Sequence, residues 1–162
     1  MISAEPNLTK VVEWSKYLAA QTEDVADMKA MYNEAREFLE YYKWCREIKD
    51  SYIGMLYPGI LAIFLFKISP SREDVDEWIW VVVGDLPPTY LTIDGCPNPA
   101  TALDGYIGAM HEWAQAATEG ASVEKLIPVN VPATEENAKM LQSRLDFLDK
   151  NILVKYQDDL GL

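Results

Sequence analysis

Between Glu73 and Glu124 the chain has no lysine and no arginine, yet it places ten Asp or Glu there. Nucleic acid is held chiefly by cations that neutralise its phosphates, so this third of the chain excludes a nucleic-acid surface. Net charge is −12, and ten of those twelve excess negative charges lie in that one segment. Scattered acids keep a protein in solution; gathered ones also steer a basic partner or a cation toward one side of it.

Long apolar runs are missing too. The most apolar stretch, "GILAIFLFKIS" at 59–69, falls well short of the ~20 residues a membrane-crossing helix needs, so no membrane span is expected. The opening "MISAEPNLTK" has no basic region followed by an apolar core, and no signal peptide is expected from it. Cys45 and Cys96 are the two cysteines. They stand far apart in the chain, which argues against a disulfide framework and for a cytoplasmic location.

The chemistry of catalysis is sparse as well. His111 is the one histidine, and "HEWAQ" puts Gln115 where the zinc-protease pattern needs its second imidazole. No G-x-S-x-G, Gly-rich loop opening a helix or Cys-x-x-Cys occurs. Cys96 stands in a loop before a helix start, but Pro97 and Pro99 remove amide donors that would lower its pKa. Carboxylates are in supply, in "EDVDE" at 73–77, Asp85 and Asp94. Their spacing lacks the turn glycine and closing acid of a calcium loop. Neither a metal nor a cofactor is expected.

What remains is a well-patterned chain of 162 residues, 49% apolar and 25% charged, which reads as one domain able to bury a core of its own. Residues 8–20 suit a first helix. A second is expected after Thr22 as N-cap, running to about Asp50 with Val25, Met28, Tyr32, Ala35, Leu39 and Tyr42 as its stripe. "ILAIFLFKI" and "WIWVVV" read as strands buried on both faces, with Trp78, Trp80 and Val82 on one side and Ile79, Val81 and Val83 on the other. "TYLTID" alternates, with Leu91 and Ile93 inward and Tyr90, Thr92 and Asp94 outward. The prolines of "GDLPP" make it an edge strand joined by a hairpin loop of four or five residues. Asn98 and Pro99 open a third helix that Gly120 closes, and Thr134 caps a last one. The expected architecture is α+β, a three-stranded antiparallel meander with helices packed on it, in the order ααβββαα.

Two sets of residues are candidates for function. Trp80, Tyr90 and Asp94 would floor and rim an aromatic groove if they shared an uncovered sheet face, although burying such rings is worth roughly 2–3 kcal/mol each and favours core. His111 joins this ligand-binding set from the rim of the third helix, on the side of Asp104. Tyr41, Trp44 and Ile48 are expected on the second helix, opposite its main stripe and among Glu34, Glu37 and Glu47. An apolar patch in a charged surface marks a contact. The leading expectation is a non-enzymatic module that binds a basic protein, as an antitoxin or immunity protein does, or itself as a homodimer through the second helix. The alternative is a small-molecule-binding protein or hydrolase built on the Trp80–Tyr90–Asp94 face.

Overall fold

The computed structural model describes residues 6–161. A 3₁₀ turn, Leu8–Lys10, leads into β1 (Val12–Glu13), α1 (Trp14–Ala19) and α2 (Val25–Glu40). Then come β2 (Cys45–Tyr57), β3 (Leu61–Pro70), β4 (Trp78–Gly84) and β5 (Thr89–Thr92). The chain continues through α3 (Pro99–Glu119) and α4 (Glu135–Asn151), and a 3₁₀ segment, Leu153–Leu160, closes it. The strands form one sheet in the order β1-β2-β3-β4-β5, antiparallel throughout. The α+β class and the antiparallel meander hold; the sheet has five strands rather than three, so the order ααβββαα does not.

The correction lies mainly in β2. The second helix does not reach Asp50: α2 ends at its C-cap Tyr41, whose N–H still donates to the Glu37 carbonyl. On β2, Ile48 pairs with Ile68, Ser51 with Phe66, Ile53 with Phe64 and Leu56 with Ala62. These side chains share the α2 side of the sheet, yet the spacings between them run three, two and three residues. Register shifts at Ile48/Asp50 and Ile53/Met55 insert the extra positions. Bulges thus give a strand the three-residue rhythm of a helix. The first helix is shortened for a related reason: Val12 and Glu13 pair with Ile53 and Tyr52 and extend the sheet by one short edge strand. Asp24, not Thr22, is the N-cap of α2, in the left-handed conformation that Asp tolerates.

Other expectations stand. β3 is internal, β5 is an edge, and the residues 85–88 between β4 and β5 make a loop of four. One sheet face meets α2: Met28, Met31, Ala35 and Leu39 pack with Ile53, Ala62, Phe64, Phe66, Ile68, Ile79, Val81 and Val83. On the opposite face Leu61, Ile63, Leu65, Trp80 and Val82 are equally buried. Among the described residues no helix is long and apolar enough to cross a membrane.

Two compact units divide the chain, one up to Ala102 and one from Leu103, with the boundary in the first turns of α3. In the second unit α3 buries Leu103, Tyr106, Met110, Trp113, Ala114 and Ala117, and Gly120 follows at φ 70. There α4 buries Ala138, Leu141, Leu145 and Leu148, and Thr134 caps it by accepting the Asn137 N–H at 3.1 Å.

Asn98 performs the capping expected of it. Its Oδ1 accepts the Thr101 N–H at 2.9 Å, and its own N–H donates to Thr101 Oγ1 at 3.1 Å. Asn98→Ala is expected to cost about 1 kcal/mol, while Asn98→Ser keeps most of the stability. Urea denaturation of the three proteins side by side measures the difference.

Candidate protein-binding surface

Where α2 gives way to β2, five aromatic rings gather. Tyr42 is the hub: Trp44 stacks on it at 5.0 Å, while Phe38, Tyr41 and Tyr90 approach edge-on at 5.5, 5.6 and 5.1 Å. Trp44 and Tyr90 also meet at 5.1 Å. Tyr90 arrives from β5 because the ladder sets it opposite Val81, whose side chain belongs to the α2-side core. Phe38, Trp44 and Tyr90 are half-buried against that core and Tyr42 is half-buried among the rings, whereas Tyr41 keeps 84% of its surface exposed. Edge-to-face pairs of this kind hold rings in fixed orientations without covering them.

An acidic loop is fastened beside the rings. The Ser71 N–H donates to the Trp44 carbonyl at 2.9 Å, and Val75 packs against the same cluster as Trp44 and Tyr90. The loop that is tied to Trp44 in this way carries Glu73, Asp74, Asp76 and Glu77. Segments 34–47 and 71–77 together hold eight Asp or Glu against four Lys or Arg. Three local ion pairs engage part of this charge: Arg36–Glu40 at 3.2 Å, Arg72–Asp74 at 3.2 Å and Lys67–Glu77 at 3.6 Å. Burial, followed by the charge of Glu37, raises the Glu34 carboxyl above its ordinary pKa.

The groups within the patch are poor reagents. Burial, then Tyr90 and Tyr41, push the Tyr42 phenol up, so it stays neutral at physiological pH. Burial and the charge of Glu40 raise the Cys45 thiol, with Arg36 opposing them, and a thiol held protonated is a weak nucleophile. Among the described residues no group of three or more His, Cys, Asp or Glu is placed to hold a metal ion.

Tyr41, Trp44 and Ile48 are thus not on one helix face. Tyr41 caps α2, Trp44 lies in the turn, and Ile48 is on β2 with its side chain against the α2-side core. The first two still meet, through Tyr42, a residue the helical wheel assigns to the core stripe. Tyr41 and Trp44 stand out in the sequence, but Phe38 is not singled out there, and the arrival of Tyr90 depends on strand register.

The ligand-binding set is not brought together. Trp80 lies opposite Leu91 and Val81 opposite Tyr90, so Trp80 and Tyr90 occupy different faces. Trp80 is fully buried, and its indole N–H donates to the Cys96 carbonyl at 2.7 Å. Asp94 is exposed beyond the end of β5. His111, in the second unit, is exposed, with Nδ1 at 2.7 Å from Gln142 Oε1. Gln142 donates its amide to Asp146 at 3.0 Å, which leaves His111 Nδ1 as the donor of its own bond. Asp104 lines a separate cavity of about 450 Å³ in the second unit, with Asp149, Lys150 and Gln157 among its other walls.

No protein-family model matches the chain, and no curated protein or solved structure matches it. The functional reading rests on geometry and charge.

Proposed function

We propose that this chain is a non-enzymatic protein-binding module that takes a basic segment of its partner on the aromatic surface at the α2–β2 turn. One observation carries the reading: exposed Tyr41 and half-exposed Tyr42, Trp44 and Tyr90 form a single cluster fastened to an acid-rich loop. Such rings offer binding energy at low entropic cost, because two torsions fix each side chain. Lysine and arginine suit them twice over, through cation–π contact with the ring faces and through pairing with the carboxylates. A small acidic protein that engages a basic one, in the manner of an antitoxin or immunity protein, fits this surface. The small-molecule or hydrolase alternative has less support, since Trp80 is enclosed and Tyr90 lies on the other face.

Fluorescence anisotropy with two labelled peptides tests the proposal, one alternating lysine with leucine and one alternating glutamate with leucine. The lysine peptide is expected to bind, and to bind more weakly as salt rises from about 50 to about 300 mM, because screening shortens the reach of surface charge. Tyr41→Ala is expected to lower its affinity about tenfold, or about 1.4 kcal/mol, which is within the range of exposed aromatic anchors. The stability of that variant should stay within about 0.5 kcal/mol of the parent, as befits an exposed ring. Equal binding of both peptides, or an unchanged affinity in Tyr41→Ala, overturns the proposal.

A further inference from the structure

A surface helix ordinarily buries one stripe and wets the rest. α4 carries a second apolar line. Its buried stripe is Ala138, Leu141, Leu145 and Leu148, yet Met140 and Phe147 are 50% and 46% exposed on another side. They stand seven residues apart, two turns along the same line of the helix. Val154, a further seven residues on in the closing 3₁₀ segment, is 49% exposed.

Charge indicates what covers this line. α4 holds four acids and three cations, so it is close to neutral in a chain of net charge −12. Two copies meeting along the residues 73–124 would face each other acid to acid. Along α4 they need not. Its acids include Glu135 and Glu136 in the first turn and its last turn carries Lys150, the distribution that an antiparallel neighbour complements. A two-fold axis passing between Ser143 and Arg144 puts Met140 of each copy against Phe147 of the other, a thioether on an aromatic ring. The same axis brings the Glu136 turn of each helix to the Lys150 turn of the other, and opposes the two helix dipoles.

We infer that a second copy of this chain docks along α4, antiparallel, with Met140 and Phe147 as its apolar seam and Glu136 and Lys150 as its paired ends. The surface is distinct from the aromatic patch of the first unit, so the two readings stand or fall separately.

Light scattering coupled to size-exclusion of the full chain, loaded from about 5 to about 200 µM, reads the result through mass action. The mass is expected to rise toward twice the monomer value with concentration. Phe147→Glu should remain monomeric and Tyr41→Ala should dimerise as the parent does. Glu136→Lys and Lys150→Glu should each weaken the dimer, and the double exchange should restore it. A parent that stays monomeric, or a dimer that Phe147→Glu leaves intact, overturns the inference. If the double exchange fails to restore what the single ones lose, the antiparallel register is wrong.

Discussion

Gly84→Ala is expected to destabilise the fold by about 3 kcal/mol or more, the sum of a strained backbone position and a steric conflict. Gly84 closes β4 at φ +145, a conformation side chains avoid, and it pairs with Leu61. A Cβ there would lie 2.2 Å from the Ile60 carbonyl oxygen, 2.9 Å from its carbon and 3.0 Å from Leu61 Cα. All three are backbone atoms where the turn after β2 enters β3, and the Ile60 carbonyl also receives the Asp85 N–H at 3.1 Å. Relief would require the β3–β4 ladder to open at this end. Gly59→Ala supplies the contrast: its φ is +75, but a Cβ there meets nothing within 4 Å. That change should cost only the left-handed strain of about 1 kcal/mol. Chemical denaturation of both variants separates steric conflict from backbone strain; equal losses would refute the close approach at Gly84.

Trp80→Ala is expected to cost about 3–5 kcal/mol, the range for deleting a large buried aromatic. The ring lies in the row between Leu65 on β3 and Leu91 on β5, with no exposed surface. Its indole N–H also ties the Cys96 carbonyl to the sheet, just ahead of the Asn98 cap. Trp80→Phe keeps most of the apolar volume and should lose mainly that bond, about 1 kcal/mol. Urea midpoints shifted to these extents, with unchanged slopes, would show that the ring acts in the core. A Trp80→Ala protein as stable as the parent would return Trp80 to the candidate ligand site.

Residues with strong local signals were legible in the sequence. Both faces of "WIWVVV" are apolar because β4 is buried on both faces, and Asn98, Thr134 and Gly120 carry cap chemistry that needs no tertiary information. β2 was illegible for a physical reason. Its bulges space Ile48, Ser51, Ile53 and Leu56 so that a strand mimics helical periodicity, and Tyr41–Cys45 contains neither the Gly nor the Pro that commonly marks a helix end. β1, two residues long, exists only through its pairing with Tyr52 and Ile53, a contact some forty residues away along the chain. The aromatic patch was half legible. Tyr41 and Trp44 stand out as large rings among charges, but Tyr90 joins them only in the register that sets Val82 opposite Thr89. A slip of one residue would have turned Tyr90 to the Trp80 face.

Proton–nitrogen NMR of the indole N–H groups tests the proposed binding surface most directly. The chain has five tryptophans, Trp14, Trp44, Trp78, Trp80 and Trp113, and each gives its own resonance. On titration with the lysine–leucine peptide, the Trp44 indole and the backbone amides of 41–45 and 71–77 should shift together, while the buried Trp80 and Trp113 indoles stay in place. A Trp44 resonance that does not move while the peptide binds, or the largest shifts falling in the second unit, would contradict the account.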